Sequence, residues 1–495
     1  MSELNAASNG RPTIVINGAQ LHCDDVAPFA TGRYDLGLQA EALARAEAAW
    51  RLMNEVAAQQ PVYGRTTGVG ANKSDVVRSE ALGGHGTRLL RSHVVGVGEL
   101  LSDEHVRALL MIRANQLAVG RSGAHPRLLK GLIDAVNSGA LPAVHRVGSI
   151  GTGDLTALAE VGLTLAGERP WRTNAAPVVP FDEGDALAFM SSNAATLAEA
   201  AMATVELRQL LRASHAVAAL SHVAMSGSPE AYVAQVHSTR SHRGQVECAA
   251  EMERLLGLHH ARTPGRSIQD PYGLRAFPQV QGPALDAARD LEEILAIEIN
   301  AGSENPMISP DDGKIYHHGH FHTAYVAVGL DRLRAAVHHV AQLSAARLGQ
   351  LMKPAQTGLS AFLATGASGS SGAMILEYVA QDALAELRHS AFPVTSGTAI
   401  ISLGVEDHAS FATQAARQAV RAAGAYRLVL ACELVAAIRA VRMRELRLEG
   451  LPLQAAFAQV AVVLEHSLAD RDLSEDIAHA AAALDTTVVN SIINP

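Results

Sequence analysis

The segment GLDRLRAAVHHVAQL, residues 329–343, shows most directly how this chain folds. Its large apolar residues alternate between spacings of three and four, at Leu330, Leu333, Val337 and Val340. Residues at this spacing lie along one face of an α-helix, so the segment predicts a helix with one buried stripe.

A second segment further along the chain has the same pattern. Its stripe consists of Leu430, Leu434, Ile438 and Val441. Neither residues 330–348 nor residues 425–449 contain a glycine or a proline. Both ranges have a glycine at each end, where we expect the helices to stop: Gly329, Gly349, Gly424 and Gly450. Helices this long, apolar on more than one face, predict a bundle that also buries surface against other subunits.

The first 35 residues differ in character from the rest. PTIVINGAQL, residues 12–21, mixes β-branched residues with turn formers and predicts a short strand or hairpin. We therefore expect a mainly α fold, a long-helix bundle with a small loop-rich N-terminal segment. We place an N-terminal domain at 1–200, and the central bundle with the C-terminal helices at 201–495.

Composition excludes several classes of protein. Of the 495 residues, 48% are hydrophobic and 18% charged, and the net charge of −9 is spread without a basic stripe, so we expect no nucleic-acid partner. Cys23, Cys248 and Cys432 form no CxxC pair, which argues against disulfides and structural zinc. The N-terminus lacks an apolar signal region, and no run of about 18 apolar residues occurs. We expect a soluble cytoplasmic protein without membrane contact.

A glycine-rich loop is the first candidate for chemistry. VGSIGTGDLTALAEVG, residues 147–162, has three closely spaced glycines, then Asp154 and an apolar run. This order predicts a tight turn that leads into a helix. Thr152, between Gly151 and Gly153, is a reactive group, the remains of one, or a turn residue.

Two further loops contain polar groups that suit an amino-acid substrate. YGRTTGVG, residues 63–70, is typical of a lid, and Tyr63 could act as a general base if positive charge lowered its pKa. Its alternative is a flexible surface loop with a packed tyrosine. SIQDPYGLRAFPQVQG, residues 267–282, offers Arg275 for bidentate carboxylate binding, with Tyr272 and Gln269 as neutral hydrogen-bonding groups. The alternative here is a solvated helix entry.

Histidines concentrate in HHGHFH, residues 317–322. No carboxylate or cysteine stands at a ligand-like spacing beside them, so polar surface or pocket lining is favoured over a metal site. VEDHAS, residues 405–410, offers Glu406, which would need a cationic or hydrogen-bonding partner if it faced inward. His93, in the apolar LLRSHVVGVGE, is by itself typical of a core histidine.

Taken together and in order, these segments resemble the aromatic amino acid ammonia-lyases and the related aminomutases. YGRTTGVG is similar to the family's YGxNTGFG, and QDPYGLRAFPQVQG to its QDxYSLRCxPQV. ENPM, GHFH and VEDHAS are similar to DNPL, GNFH and QEDHVS. The resemblance extends from about residue 40 to residue 410.

The resemblance implies a helical fold of the fumarase/aspartase-like type and a homotetramer whose sites combine loops from three subunits. It implies no metal and no bound coenzyme. The family instead makes an electrophile, methylidene-imidazolone (MIO), by cyclising and dehydrating an internal Ala-Ser-Gly. That group captures the amine while a base removes the weakly acidic β-hydrogen.

Site residues follow from the resemblance residue by residue. Tyr63 would be the base, and Arg275 would hold the α-carboxylate, with Tyr272 and Gln269 beside it. Phe321 would pack near the electrophile.

The substrate side chain would face His93 and Glu406. A glutamate here resembles histidine ammonia-lyases more than phenylalanine ammonia-lyases, because a carboxylate can accept a hydrogen bond from an imidazole N–H.

The chain departs from the family at the electrophile loop. The family sequence is GSVGASGDLxPL, whereas this chain has GSIGTGDLTAL, so Ala-Ser has become the single Thr152. Three alternatives remain open. In the first, Gly151-Thr152-Gly153 cyclises to an ethylidene imidazolone. In the second, no electrophile forms and a better leaving group is eliminated, as in the family members that release trimethylamine from histidine betaines such as ergothioneine. In the third, the protein is a non-catalytic scaffold.

Head-group contacts have changed as well. Ser191 stands where a family asparagine contacts the amino-acid head group, and His320 replaces a second asparagine. The base, the carboxylate arginine and the residues facing the side chain are retained, which favours altered chemistry over lost chemistry. We therefore predict a carbon–nitrogen lyase for an amino-acid-like substrate, favouring an imidazole side chain. A 2,3-aminomutase and a non-catalytic family member are the alternatives.

Overall fold

The computed structural model describes residues 10–77, 82–258 and 265–493. In chain order the helices are α1 (Cys23–Ala30), α2 (Ala40–Ala57), α3 (His85–His93), α4 (Asp103–Ala118), α5 (Pro126–Ser138), α6 (Leu155–Leu165), α7 (Asp185–Met190), α8 (Ala194–Met225), α9 (Ala234–Ser238), α10 (Arg243–Leu255), α11 (Tyr272–Arg275), α12 (Phe277–Glu298), α13 (Ala324–Leu351), α14 (Pro354–Thr357), α15 (Ile375–Ser390), α16 (Ala412–Met443), α17 (Leu453–Ala461) and α18 (Ser474–Ile493). The strands are β1 (Thr13–Ile16), β2 (Asp35–Leu38), β3 (Val97–Leu100), β4 (His145–Val147), β5 (Met307–Ser309) and β6 (Lys314–Tyr316). The predicted mainly α fold is confirmed.

The two apolar stripes lie in long helices, as their spacing predicts. Every residue of both stripes is at most 1% exposed: Leu330, Leu333, Val337, Val340, Leu430, Leu434, Ile438 and Val441. Burying a large aliphatic side chain contributes roughly 1.5–3 kcal/mol. The stripes therefore supply much of the energy that holds α13 and α16 in place.

The predicted helix ends were wrong. α13 continues through Gly329 to Leu351, and α16 begins at Ala412 and stops at Met443. A Cβ atom on Gly329 would lie 2.9 Å from Leu291 Cδ1, so this glycine permits close approach of α12. Packing thus outweighs the cost of about 1 kcal/mol that glycine imposes on a helix interior.

Short two-stranded sheets connect the helices. β1 pairs in parallel with β2, with Thr13 opposite Asp35, and α1 lies between them in sequence. The predicted N-terminal strand is therefore present, but its partner reaches it through a helical crossover rather than a hairpin. β3 pairs antiparallel with β4, which leads directly into the glycine-rich loop.

Two compact units make up the chain. Unit 1 consists of Met1–Val205, Leu291–Leu330 and Val394–Arg417. It thus gathers the lid, the glycine-rich loop, the histidine-rich loop and Glu406 from sequence-distant segments. Unit 2 consists of Glu206–Asp290, Asp331–Pro393 and Gln418–Pro495.

Buried polar networks stabilise each unit. In unit 1, Arg113 pairs with Glu304 at 2.8 Å and donates to the Ala188 carbonyl at 2.7 Å. In unit 2, Glu433 on α16 accepts hydrogen bonds from Arg347 on α13 and Ser221 on α8, and all three residues are fully buried. Paired burial of this kind fixes how the helices pack. No helix in the described ranges is long and apolar enough to cross a bilayer.

Candidate active site

The glycine-rich loop forms the predicted tight turn into a helix. Gly148, Gly151 and Gly153 all have positive φ, at 150°, 84° and 111°, and α6 starts at Leu155. A Cβ atom on Gly151 would lie 2.6 Å from the backbone nitrogen of Ala412. Both the dihedral angle and the available space therefore require glycine at position 151.

Three long helices begin beside this loop. The Thr196 N–H, in the first turn of α8, donates to the Asp154 carboxylate at 2.7 Å. The Thr323 N–H, just before α13, donates to the Gly151 carbonyl at 3.2 Å, and α16 begins two residues after Ser410, whose hydroxyl bonds the same oxygen. Helix N-termini carry partial positive charge. The loop therefore lies where negative charge is favoured.

The two peptide groups that flank Thr152 are held firmly. The Gly151 oxygen accepts three hydrogen bonds in all: from the Thr323 N–H, from the Thr323 hydroxyl at 2.9 Å and from the Ser410 hydroxyl at 2.8 Å. The Gly153 N–H donates to Asn193 Oδ1 at 3.0 Å. These bonds fix the backbone of the loop and leave the Thr152 side chain to line a cavity.

The cavity, within unit 1, has a volume of about 510 Å³. It brings together five of the residues predicted for the site: Tyr63, Thr152, Ser191, Phe321 and Glu406. Lys73, Asn305 and His317 also line it. A volume of this size accommodates a small amino-acid-like substrate.

Tyr63 is the first residue of the lid, and its side chain lines the cavity. Its hydroxyl accepts a hydrogen bond from the Gly70 N–H at 2.7 Å, and its ring packs edge-on against His317 at 6.3 Å. Burial raises the pKa of Tyr63, as does the negative charge of Glu406, while the Gly70 N–H lowers it. The net direction is opposite to the lowering that a tyrosine needs to act as a base. Lys73 lines the same cavity.

Ser191 lies at the end of α7 and lines the cavity. Its hydroxyl oxygen accepts a hydrogen bond from the Asn305 N–H at 3.1 Å, and Asn305 Oδ1 accepts one from the His318 N–H at 3.1 Å. The buried Arg113–Glu304 pair supports both segments, because it joins the residue before Asn305 to the carbonyls of α7.

Two predicted residues lie elsewhere in unit 1. His93 ends α3, where its Nδ1 lies 2.8 Å from the Leu89 carbonyl. His320 stacks against His318 at 4.6 Å, and His317 is the histidine of this loop that lines the cavity. Neighbouring loop residues point in different directions, so a position in the motif did not decide which imidazole faces inward.

The predicted carboxylate-binding segment belongs to unit 2. Gln269, Tyr272 and Arg275 line a separate cavity of about 420 Å³. The Arg275 guanidinium lies over the Tyr272 ring at 4.5 Å, and Tyr272 is 67% exposed. Arg275 Nε is buried and has no hydrogen-bond partner in the described chain. The segment therefore places a guanidinium group beside an exposed tyrosine at the edge of this cavity.

Several residues of the site were missed from the sequence. Asn305 lies in the ENPM motif, and Lys73 follows the lid by three residues, so both had a local signal. Asn193 and Thr323 had none, since their role depends on contacts with backbone atoms far away in sequence. Across the described ranges, no group of three or more His, Cys, Asp or Glu side chains could hold a metal ion.

Known proteins match both the sequence and the fold. Residues 21–462 match the family described as aromatic amino acid lyase. Histidine ammonia-lyase of Geobacillus kaustophilus is 35% identical over 440 residues, 86% of this chain and 87% of that protein.

Solved structures extend the comparison to nearly the whole chain. Ergothionase of Treponema denticola, an ergothioneine-degrading enzyme solved in complex with desmethyl-ergothioneine sulfonic acid, has a TM-score of 0.89 at 25% identity, covering 98% of this chain and all of that one. Tyrosine aminomutase of Streptomyces globisporus has a TM-score of 0.88 at 27% identity, covering 97% of this chain and 98% of that one.

The fold, the cavity and these relatives define a carbon–nitrogen lyase that acts on amino acids. The chain belongs to the aromatic amino acid lyase family.

Proposed function

We propose that this lyase eliminates a tertiary amine from a betaine with an imidazole side chain, and that it does so without an MIO group. In this reaction the Cβ–H bond and the Cα–N bond break, and a Cα=Cβ bond forms. Tyr63 takes the β-proton, and the amine leaves with the electrons of the C–N bond. The products are an imidazole-bearing α,β-unsaturated acid and a neutral amine.

The hydrogen bonding around Thr152 supports the absence of the electrophile. Cyclisation would join the Gly153 nitrogen to the Gly151 carbonyl carbon and expel the Gly151 oxygen as water. That oxygen is the acceptor for the backbone N–H and hydroxyl of Thr323 and for the Ser410 hydroxyl. Both residues are at most 4% exposed, and each donor left without a partner costs about 1–3 kcal/mol.

The short loop opposes cyclisation in a second way. Thr152 replaces an Ala-Ser pair, and its methyl group would lie on the electrophilic carbon. The Gly153 N–H would also lose its bond to Asn193. The residues present do not fit the imidazolone, so we assign no catalytic step to it.

A quaternary ammonium leaving group follows from this chemistry. Without an electrophile to capture the amine, the leaving group must depart unaided, and ammonia departs poorly. A trimethylammonio group departs as neutral trimethylamine. The rings of Tyr63, His317 and Phe321 line the cavity, and aromatic surfaces recognise quaternary ammonium groups. The likeness to ergothionase supports the same class of substrate.

The remaining roles follow from charge and hydrogen bonding. Glu406 accepts a hydrogen bond from the imidazole N–H of the substrate. The Gly70 N–H stabilises the Tyr63 phenolate at 2.7 Å. The carboxylate of the substrate is bound by Arg275, together with Tyr272 and Gln269, and these three residues come from another subunit of a homotetramer. The unpartnered Arg275 Nε supports this role, and the exposed Tyr272 supports contact with another chain.

Intact mass and substrate tests examine this proposal. We expect the purified protein to have its unmodified mass, and a peptide map over residues 140–165 to show no loss of water. A deficit of about 36 Da at Gly151–Gly153 would overturn the MIO-free mechanism.

Histidine betaine, ergothioneine and histidine are then compared as substrates, with the unsaturated acid followed by its ultraviolet absorbance and the amine identified by mass spectrometry. We expect elimination from a betaine and none from histidine. Ammonia release from histidine would contradict the proposed leaving group, and a β-amino acid product would instead establish an aminomutase.

A further inference from the structure

We infer that the hydrogen bond between His322 and His408 is a positioning device, which joins the two loops that bring Phe321 and Glu406 to the cavity. The bond holds only while at least one of the two imidazoles is neutral. This inference rests on the proposed site, because Phe321 and Glu406 matter only if substrate binds there.

The two imidazoles form a direct pair. His322 Nε2 lies 2.9 Å from His408 Nδ1, and the ring centroids are 5.0 Å apart. An N–H···N hydrogen bond needs one nitrogen that carries a proton and one that does not. The neutral pair and the singly protonated pair can both make this bond, whereas a doubly protonated pair has only donors and two positive charges.

The loops that carry His322 and His408 also meet at a separate, buried place in unit 1. Thr323, next to His322, and Ser410, two residues after His408, both donate to the Gly151 oxygen. The loops are therefore attached to each other at the glycine-rich turn. The Phe321 carbonyl also accepts a hydrogen bond from the Asn193 side chain at 2.7 Å, but that bond does not join its loop to the loop of Glu406.

The imidazole bond supplies a second point of attachment between the two loops. His322 directly follows Phe321, and His408 is two residues after Glu406. Two loops joined at a single point can still rotate about that point. The second bond therefore fixes the angle between the two loops. A shift of about 1 Å in such groups can cost roughly 100-fold in rate.

The other charged groups of these elements do not replace the pair. The histidine-rich loop has His317, His318 and His320, and the facing loop has Glu406 and Asp407. The lid has Tyr63 and Arg65, Lys73 follows the lid, and the glycine-rich loop has Asp154. Asp154 bonds Thr196 instead, and His318 stacks on His320. Burial and the neighbouring His408 both lower the pKa of His322.

The direction of the pH effect follows. A lowered pKa means that the folded pair resists protonation, so its contribution is complete above the ordinary imidazole pKa of about 6.5. It is lost as the pH falls through the lowered pKa of His322, because a pair with a proton on every ring nitrogen has only donors. We therefore expect the acid limb of kcat/KM to report this pair.

Substitution of the pair tests the inference. His322→Ala and His408→Ala each remove the bond, and we expect kcat/KM to fall about 10- to 100-fold. The double variant His322→Gln/His408→Asn places amide groups where Nε2 and Nδ1 lie, so it retains a hydrogen bond that does not titrate. We expect it to stay within about threefold of the wild-type kcat/KM at neutral pH and to lose the acid limb. His339→Gln, an exposed histidine on α13, is the matched control.

Either of two results would overturn the inference: alanine variants with wild-type kcat/KM, or a double variant with an unchanged acid limb. The rates are measured with whichever amino acid or betaine the wild type eliminates. The test therefore does not depend on which leaving group is correct.

A second readout needs no substrate. Deuterium exchange at imidazole C2, followed by mass spectrometry of peptides, gives the pKa of His322 in the full-length protein. We expect His408→Asn to raise that pKa, because it removes a neighbouring positive charge. An unchanged pKa would show that the imidazoles do not interact, whether or not the proposed betaine is a substrate.

Discussion

At the scale of single residues, the environment of Tyr63 decides at what pH the proposed base can ionise. The hydroxyl has one backbone donor, Gly70, and a nearby carboxylate, Glu406, that disfavours its ionisation. Burial is the largest cause of the raised pKa of Tyr63, and the charge of Glu406 adds to it. The phenolate therefore becomes available as the pH rises, and its availability depends on the charge of Glu406.

Glu406→Gln should shift this ionisation. Removing the negative charge takes away one of the causes that raise the pKa of Tyr63, so the pKa falls and the phenolate forms at lower pH. The measurement is a phenolate absorbance titration of Glu406→Gln and of wild type, each corrected by the same protein with Tyr63→Phe. Asp407→Asn, the neighbouring carboxylate, is the control. A Tyr63 titration that is identical in wild type and Glu406→Gln would contradict the expected coupling.

At the scale of structural elements, the glycine-rich turn combines local and distant constraints. Gly151 and Gly153 both have positive φ, which strains any other residue. They differ in space: a Cβ on Gly151 meets the Ala412 backbone nitrogen at 2.6 Å, whereas at Gly153 the nearest atom, on Leu155, is 3.7 Å away.

Gly151→Ala and Gly153→Ala should separate these two effects. Both variants share the backbone strain, and only the first forces apart the turn and the start of α16. We expect Gly151→Ala to lower the free energy of unfolding by about 1–3 kcal/mol more than Gly153→Ala. Urea unfolding at one protein concentration measures the difference. Equal destabilisation would mean that the turn can move away from α16 without cost.

Elements also show how far sequence reasoning reached. The buried stripes of α13 and α16 followed from spacing alone, because helix periodicity is a local property. The ends of these helices could not be predicted in this way, because the packing of Gly329 against Leu291 depends on residues distant in sequence. The turn at residues 148–154 was predictable from its glycines, but its partners Thr323 and Ser410 are 172 and 259 residues from Gly151.

The same distinction applies to the site. Tyr63, Thr152 and Glu406 line one cavity, as motif order suggested, whereas His93 does not line it and His317 does so in place of His320. Motifs identify loops well because whole patterns must match. Which side chain of a loop faces inward depends on local dihedral angles that composition does not reveal.

At the scale of the whole molecule, the predicted site residues are divided between two units. Tyr63 and Glu406 belong to unit 1, and Arg275 belongs to unit 2. In the proposed homotetramer, Arg275 of one chain would serve the cavity of another chain. Ile268 is 96% exposed and Tyr272 67% exposed, as expected for residues that another subunit covers.

Hybrid tetramers provide the decisive measurement. Tyr63→Phe and Arg275→Gln should each inactivate the protein when expressed alone. Co-expressed with different affinity tags and purified through both, they should regain activity, because some sites then receive an intact Tyr63 from one chain and an intact Arg275 from another. Random mixing gives roughly a quarter of the sites both residues.

Light scattering on the same sample establishes the oligomeric state. The positive control for assembly is a hybrid of wild-type chains with chains that carry both Tyr63→Phe and Arg275→Gln. Hybrids of the two single variants that assemble but stay inactive would place Tyr63 and Arg275 in a site built by one chain. Restored activity would establish that each active site is shared between subunits, so that assembly itself is a condition for catalysis.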